Sequence, residues 1–275
     1  MTEQKILNDI AHDFKKRGSH AFFLDIDGTM IIPLSENGVS KRLADAIDEG
    51  HKKGHFFFVN TGRAYGYVPA SLLCSADFDG VVSGLGGHAI FRGKVIHSAF
   101  LDTEIVEKCC RYCEKNRESI IFECEARDAH GGRFTLGDSG FFTVERDFEK
   151  TDDLMRAIKG QNVIKITTPY VPNEEYSTFL DEIFDMSYVK PIYAEGALIG
   201  NHKGTGIFRV CEKLGIPFEN TVAIGDSAND EKMLSCAKIS VAMGNAPDEI
   251  KAKTTLVCDR VENDGAAKLI EALIR

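Results

Sequence analysis

The sequence predicts an α/β protein whose core is a doubly wound, Rossmann-like parallel sheet, with a second, α+β unit inserted into it. Short apolar segments that do not alternate with polar residues recur along the chain, as buried parallel strands do. Helical patterns separate these segments towards both ends of the chain, which is typical of a doubly wound sheet. In the middle of the chain this alternation is interrupted by strands in tandem with interspersed helices.

The strands predicted for the core form two groups, one towards each end of the chain. They cover residues 21–24, 56–59, 80–82, 221–224 and 239–242. Ser40 is placed to cap a helix that ends at Gly54. A second helix, over residues 205–214, is stopped by Gly215. Residues 1–19 are predicted to form a leading amphipathic helix of no evident function.

A different order of elements separates the two groups. The sequence there predicts strands at 89–91, 94–97, 119–124, 163–167 and 188–192, helices at 103–117, 151–159 and 173–184, and a glycine-rich polar stretch at 128–140. Strands in tandem with interspersed helices indicate a separate α+β unit. We therefore expect a discontinuous core formed by residues 1–83 and 194–275, with residues 84–193 inserted as a cap domain.

The bulk composition argues against some classes of protein. The chain has 275 residues and a net charge of −9, whereas nucleic-acid binders normally carry a basic face. It has no apolar run of about 18 residues, so we expect no membrane partner. Most of its eight cysteines lie in apolar runs, and Cys110 and Cys113 form a C-x-x-C inside a predicted helix. We expect a cytoplasmic protein, either a monomer or a small homo-oligomer.

Two carboxylates follow the first predicted strand. The segment FFLDIDGT places Asp25 and Asp27 directly after that strand, and Gly28 then lets the chain turn away. Ligands of open α/β sheets gather at the carboxyl ends of the strands. For this pattern alone, a polar loop leaving a strand is the simpler interpretation.

The segment TVAIGDSAND gives a second signal, because another buried strand ends in an acid. Asn229 and Asp230 lie three and four residues after Asp226, so all three side chains can face one point across a helical turn. If the two strands are neighbours, four carboxylates converge, and two like charges about 4 Å apart repel by roughly 4 kcal/mol at an effective dielectric constant near 20. Such a cluster needs a cation, and all-oxygen ligation with room for water predicts Mg²⁺.

Two weaker signals concern the binding of an anion. Thr61 and Gly62 follow a predicted strand in the segment VNTGR and offer a hydroxyl group and a backbone N–H. A turn capped by the threonine explains this segment equally well. Lys203, in the segment GNHKG, opens the helix that precedes the Asp226 strand. A lone lysine is usually solvated, so its position among the other signals is what favours a role.

Together these residues predict the transfer of a phosphoryl group. Asp25 is the expected nucleophile on phosphorus, and Mg²⁺ would shield its charge from that of the phosphate. Asp27 would protonate the leaving oxygen and then deprotonate the attacking water. Lys203, Thr61 and the Gly62 N–H would hold the equatorial oxygens, over which the charge of the transition state is spread.

The sequence resembles the haloacid dehalogenase superfamily in four motifs, which are DIDGT, the threonine of NTGR, Lys203 and GDSAND. It is most similar to the Cof-type phosphatases, which carry a large α/β cap between the second and third motifs. The likeness covers almost all of the chain after residue 20, including a VAMGNA…NDGAAK tail at 241–268. One departure adjoins the cap hinge, where GGH stands at 86–88 and relatives often have Asn-Gly-Ala.

The resemblance also implies roles for individual residues. Asp25, the Asp27 carbonyl and Asp226 would bind Mg²⁺. Asn229 would contact the phosphoryl group or the lysine, and Asp230 would support the site from behind these residues.

Other functions stay open from the sequence. A phosphosugar mutase shares such a core, whereas a phosphorylatable receiver domain would be smaller and uninterrupted. The expected substrate is a small phosphorylated metabolite, such as a sugar phosphate, a phosphorylated vitamin or a polyol phosphate. The cap would choose among these, and His130, Arg133 and Lys165 are its candidates to reach the leaving group, although each is more often a surface residue.

Overall fold

Two β-sheets form the framework of the computed structural model, which describes residues 3–33, 37–128, 131–170, 172–189 and 191–275. The strands are β1 Ala21–Leu24, β2 Phe56–Asn60, β3 Gly80–Ser83, β4 His88–Phe91, β5 Lys94–Ser98, β6 Ile120–Asp128, β7 Gly131–Leu136, β8 Arg146–Phe148, β9 Val163–Thr168, β10 Phe184–Val189, β11 Tyr193–Leu198, β12 Thr221–Gly225, β13 Ile239–Ala242 and β14 Leu256–Val257. The helices are α1 Glu3–Lys16, α2 Lys41–Lys52, α3 Ala70–Leu73, α4 Thr103–Asn116, α5 Thr151–Ala157, α6 Glu174–Asp181, α7 Lys203–Leu214, α8 Glu231–Cys236, α9 Asp248–Lys251 and α10 Gly265–Ile274.

The larger sheet has the strand order β14-β13-β12-β1-β2-β3-β4-β5. Its strands from β14 to β3 run parallel, and β4 and β5 add an antiparallel edge. Along β1, Phe22 and Leu24 pack into an apolar cluster with residues of α1, α2 and α10. Ala21 and Phe23 pack into another cluster, with residues of α7. Helices therefore cover both faces of β1, and the predicted doubly wound parallel core is confirmed.

The smaller sheet has the order β10-β11-β9-β6-β7-β8 and is antiparallel apart from the β7–β8 pair. Residues of α4, α5 and α6 pack with its strands in an apolar cluster that includes Phe122 and Tyr176. Cys110 and Cys113 lie in this cluster with free thiols. Charged side chains of the smaller sheet instead line a cavity that they share with the larger sheet.

The sheets divide the chain at different points from those expected. Strands β4 and β5 lie within residues 84–193, yet they extend the larger sheet, because a turn at residues 84–87 reverses the chain beside β3. At the other end, β11 carries the smaller sheet on to Leu198, past residue 193. The smaller sheet is therefore built from residues 120–198.

Three elements predicted inside the insertion differ from the structure. The polar stretch at 128–140 contains β7, because Phe134 and Leu136 bury their side chains in the apolar cluster. The strand predicted at 188–192 spans the end of β10 and the connection to β11, where Pro191 lies in a turn. The helix predicted at 173–184 ends at Asp181, and Phe184 instead opens β10 and packs into the same cluster.

Candidate active site

The predicted motif residues meet at one edge of the larger sheet. Asp25 follows β1, Thr61 follows β2 and Asp226 follows β12. These three strands are adjacent and parallel, with β1 in the middle, so their carboxyl ends lie side by side. The backbone N–H of Asp25 donates to the carbonyl of Ile224 at 3.0 Å, which ties the end of β1 to β12. The fold thus places a polar cluster where open α/β sheets bind their ligands.

A buried lysine and three carboxylates form the centre of the site. One oxygen from each of Asp25, Asp226 and Asp230 lies within 4.8 Å of the others. Lys203, the first residue of α7, donates from Nζ to Asp25 and to Asp230, each at 2.6 Å. It also donates to Oδ1 of Asn229 at 3.2 Å. Of the four carboxylates expected to converge, Asp25, Asp226 and Asp230 therefore lie together, with a lysine ammonium among them, whereas Asp27 is not part of this group.

Asp25 and Asp226 resist ionisation in the absence of a further cation. Burial, followed by the charge of Asp230, raises the pKa of Asp25 to about 8, although Lys203 opposes this shift. Burial and Asp230 likewise raise the pKa of Asp226 to about 7. Oδ1 of Asp226 is buried and has no hydrogen-bond partner among the described residues. Hard oxygen donors, mutual repulsion and an unsatisfied carboxylate oxygen together fit a divalent cation such as Mg²⁺.

Asp230 is already occupied on both of its carboxylate oxygens. Oδ1 accepts from Lys203, and Oδ2 accepts from the backbone N–H groups of Asp226 and Ser227 at 3.0 and 3.1 Å. A Cβ at Gly225 would lie 2.7 Å from the Asp230 side chain, so a glycine is required at this close approach. Asp230 thus holds the turn after β12 and the lysine in place.

Asn245 connects the Asp226 carboxylate to the loop that follows β1. Its Nδ2 donates to Oδ2 of Asp226 at 3.2 Å and to the carbonyl of Gly28 at 2.8 Å. Its Oδ1 accepts from the backbone N–H of Val261 at 3.0 Å. A Cβ at Gly28, whose φ is 78°, would lie 2.1 Å from Asp226, so only glycine fits there. The VAMGNA segment therefore orients Asp226 and leaves its Oδ1 free.

Asp27 stands apart from the carboxylate cluster. Its two carboxylate oxygens accept from Nη2 and Nε of Arg63, at 2.8 and 3.0 Å. Arg63 also donates from Nη1 to the carbonyl of Tyr67 at 3.3 Å. The Asp27 carboxylate is therefore paired with a guanidinium group on the loop after β2 and is not one of the three clustered acids, although its charge contributes to the raised pKa of Asp226.

One cavity of about 490 Å³ collects most of the predicted site residues. Its walls include Asp25, Asp27, Thr61, Gly62, Asp226 and Asn229. The buried Thr61 hydroxyl accepts from the backbone N–H of Arg63 at 3.2 Å. Lys203 and Asp230 are not part of this lining and lie buried behind it.

The smaller sheet supplies the opposite wall of the cavity with a charged cluster. Lys165 forms ion pairs with Glu195 and, at 3.3 Å, with Glu123. Glu123 also accepts from Nε of Arg133 at 3.1 Å and from the hydroxyl of Thr167 at 2.8 Å. Arg133 and Lys165, two of the candidates to reach the leaving group, both line this cavity, and the third, His130, lies outside the described residues.

The sequence predicts no role for several residues that the structure brings to this site. They are Arg63, Glu123, Glu195 and Asn245. The signal for Glu123 and Glu195 is weak, because a single charged residue within an apolar strand segment also occurs on ordinary exposed faces. The signal for Asn245 was the MGNA segment itself, whose contact with Asp226 depends on tertiary structure.

Within the described ranges, no helix combines the length and the apolar character that crossing a membrane requires.

Comparison with known proteins identifies relatives over almost the whole chain. A family model of haloacid dehalogenase-like hydrolases matches residues 22–270. The chain is 25% identical over 249 residues to the 5-amino-6-(5-phospho-D-ribitylamino)uracil phosphatase YcsE of Bacillus subtilis, covering 90% of this chain and 92% of that protein. It is also 25% identical over 258 residues to a phosphoglycolate phosphatase of Methanobrevibacter smithii, covering 92% of this chain and 98% of that protein.

Solved structures share the fold. The sugar phosphatase BT4131 superposes with a TM-score of 0.75 at 25% identity, covering 92% of this chain and 98% of that one. BT1666 of Bacteroides thetaiotaomicron superposes with a TM-score of 0.80 at 21% identity, covering 94% and 96% of the two chains.

Proposed function

The chain belongs to the family of haloacid dehalogenase-like hydrolases, in which it is a Cof-type phosphatase, and we propose that it hydrolyses a small phosphorylated metabolite through an aspartyl-phosphate on Asp25. The placement of Asp25 carries this proposal. Its carboxylate lies at the end of the central strand, lines the cavity, and is held at 2.6 Å by the buried Lys203. A buried carboxylate fixed in this way is suited to attack a phosphorus atom that the cavity presents to it.

In the first step of the proposed reaction, an oxygen of Asp25 attacks phosphorus and the ester P–O bond breaks. The leaving oxygen takes its proton from Asp27. Because both oxygens of Asp27 are engaged by Arg63, its side chain must leave the guanidinium group before it reaches the leaving oxygen. Thr61, the Gly62 N–H and Asn229 line the same cavity and are proposed to hold the phosphoryl oxygens.

In the second step, water attacks the phosphorus of the aspartyl-phosphate. Asp27 takes a proton from this water, and the bond between phosphorus and Asp25 breaks. Inorganic phosphate leaves and the Asp25 carboxylate is restored. One residue thus serves first as the acid and then as the base, a role worth roughly 10²–10⁴-fold in rate.

Asp25, the Asp27 carbonyl and Asp226 are the proposed ligands of Mg²⁺. The unsatisfied Oδ1 of Asp226 and the raised pKa values of Asp25 and Asp226 support this assignment. When bound, the ion offsets the repulsion between the attacking carboxylate and the anionic phosphoryl group. Asp230 is proposed to support the site indirectly, because it holds Lys203 and the turn after β12 in place.

The wall of the cavity supplied by the smaller sheet is proposed to belong to the cap domain, whose sheet runs from residue 120 to residue 198 rather than ending at residue 193. We propose that this cap selects the metabolite and excludes water from the reaction. We also place the protein in the cytoplasm, since its eight free cysteines suit a reducing compartment.

Phosphate release tests the proposed function. Wild-type protein and Asp25→Asn are incubated with Mg²⁺ and a panel of sugar phosphates, polyol phosphates and phosphorylated vitamins. We expect the wild type to release inorganic phosphate from at least one class, and Asp25→Asn to stay near background with an unchanged circular dichroism spectrum. Excess chelator should abolish the release, and added Mg²⁺ should restore it. Full activity in the variant or in chelator would refute the proposal, and transfer to a second hydroxyl without release would identify a mutase.

A further inference from the structure

Glu195 reaches from β11 of the smaller sheet to the phosphoryl end of the cavity. Its Oε1 accepts from Nδ2 of Asn229 at 3.4 Å. A Cβ added to Gly62 would lie only 3.2 Å from the same oxygen, so the absence of a side chain at position 62 allows this close approach. Asn229 and Gly62 are two of the groups proposed to hold the phosphoryl oxygens. A carboxylate of the cap wall, which is the side of the cavity supplied by the smaller sheet, therefore lies beside the place where the phosphoryl group would bind.

Glu195 is held there as part of a buried charged cluster. Glu195, Lys165 and Glu123 are 5%, 3% and 4% exposed, respectively. Lys165 lies between the two glutamates, and Arg133 donates to Glu123 from the other side. Burying ions costs several kcal/mol each before pairing offsets it, and such clusters are often found at functional sites. Burying a carboxylate at this position therefore costs free energy of folding, which favours a role for Glu195 in contacting a ligand.

The cations that line the cavity are already paired with carboxylates of the protein. Lys165 and Arg133 contact the glutamates of the cap wall, and Arg63 contacts Asp27. The lining contains five carboxylates, Asp25, Asp27, Glu123, Glu195 and Asp226, against three cations, Arg63, Arg133 and Lys165. A substrate that brings a second anion next to its phosphate would therefore find all three lining cations paired, and only the movement of Asp27 during the reaction would release one of them, Arg63.

From this arrangement we propose that Glu195 determines which leaving groups are accepted. It accepts a hydrogen bond from a hydroxyl group on the carbon next to the phosphorylated one, and it repels a carboxylate at that position. The substrate class is then a phosphate ester of an uncharged, hydroxylated molecule. This inference rests on the proposed phosphatase function and deepens it by assigning a selecting residue.

Both parts of the selection follow from the same carboxylate. An ionised acceptor makes a stronger hydrogen bond to a hydroxyl than a neutral acceptor does. Two carboxylates a few ångströms apart repel each other most where water is excluded, as in this buried wall. Specificity by repulsion of the wrong ligand requires only that the repelling group be fixed, and Lys165 fixes Glu195.

A matched pair of substrates tests the proposal. 2-Hydroxyethyl phosphate and 2-phosphoglycolate differ only in carrying a hydroxymethyl group or a carboxylate on the phosphorylated carbon. We define the selectivity as the ratio of kcat/KM for the first compound to that for the second, measured with Mg²⁺ at fixed ionic strength. This ratio cancels any loss of folded protein or of phosphoryl transfer that both substrates share. The wild type should favour the hydroxylated compound by about tenfold or more.

Two isosteric variants separate position from charge. Glu195→Gln keeps the shape but removes the repelling charge, and it should lower the selectivity by about tenfold or more. Glu123→Gln removes the other carboxylate charge that pairs with Lys165. Because it is Glu195 that approaches Asn229 and Gly62, this substitution should lower the selectivity by less than about threefold. A thermal melt of each variant verifies folding.

The outcomes are distinct. A wild-type selectivity near one would overturn the proposal without any variant, as would an unchanged ratio in Glu195→Gln or equal shifts in both variants. p-Nitrophenyl phosphate carries neither group and reports phosphatase activity by itself. Wild-type protein that hydrolyses it without selectivity between the pair contradicts only this inference. Wild-type protein that releases phosphate from none of the three compounds contradicts the proposed function as well.

Discussion

Replacing Lys203 by methionine tests how the buried charges of the site are balanced. Methionine is of similar length but carries no charge, so the substitution removes the ammonium group with little change of packing. The lysine is 1% exposed and donates to Asp25 and Asp230 at 2.6 Å each. Both carboxylates are buried, and Asp230 would keep only its hydrogen bonds from the backbone and Ser227.

The expected loss is large because one partner of a buried ion pair is removed. Such a loss is typically about 3–5 kcal/mol of the free energy of unfolding. For a domain of this size it lowers the melting temperature by on the order of 10 °C. Mg²⁺ should recover part of the loss, since the ion meets the same carboxylates. At about a hundredfold excess over its Kd, a bound ligand adds roughly 2.7 kcal/mol to the folded state.

Lys232→Met is the matched control. Lys232 pairs with Asp185 at 3.3 Å and is 41% exposed, so its removal should cost at most about 1 kcal/mol. Urea unfolding, in chelator and with Mg²⁺, measures the free energy of unfolding of the wild type, Lys203→Met and Lys232→Met. Equal, small losses in both variants would show that Lys203 does not neutralise a buried cluster. A large loss that Mg²⁺ does not reduce would show that the ion binds elsewhere.

Further predictions concern the acid, the metal and pH. Asp27→Ala should keep the affinity for Mg²⁺ but slow sugar-phosphate turnover by roughly 10²–10⁴-fold. With p-nitrophenyl phosphate it should give a burst of p-nitrophenol in rapid-quench kinetics. A large loss of Mg²⁺ affinity would contradict its role in proton transfer. Asn245→Ala should weaken Mg²⁺ binding by about 10–100-fold in calorimetry, whereas the exposed Asn263→Ala should not. Burial lowers the pKa of His55 to about 4, so the unfolded chain takes up its proton first as pH falls. The free energy of unfolding therefore falls on acidification, by about 2 kcal/mol between pH 7 and pH 4.5 from this residue. His55→Asn should reduce this pH dependence in urea unfolding, and an unchanged pH dependence would refute the role of His55.

The core of the site could be predicted from the sequence because its geometry follows from strand order. Asp25 and Asp226 each follow an unbroken apolar segment, and parallel strands in one sheet end at the same edge. Once β1 and β12 are neighbours, the acids must meet. Asp230 could be placed with them because its spacing from Asp226 is set by a single turn.

The cap wall could be predicted less well because antiparallel strands leave a weaker pattern. In β7 two glycines precede a mixture of polar and apolar residues, and only contacts with the helices of the smaller sheet show which face is buried. The sequence predicts one strand at 188–192, whereas β10 ends at Val189 and β11 begins at Tyr193, with Pro191 in the turn between them. Glu195 lies in the second of these strands, and its contact with Asn229 depends on how the two sheets face each other. The pairing of Arg63 with Asp27 depends in the same way on the turn after β2.

The proposed aspartyl-phosphate can be tested by trapping it. Protein mixed with Mg²⁺ and a phosphorylated substrate is quenched in acid within the first turnover, and its peptides are mapped by mass spectrometry. Asp27→Ala, which lacks the proposed base for the second step, should accumulate the intermediate and serve as the sensitive case. The account predicts phosphate on the peptide that contains Asp25, and none in Asp25→Asn. Phosphate on another residue would contradict the account. So would release of phosphate in the first turnover with no phosphate bound to the protein in either the wild type or Asp27→Ala.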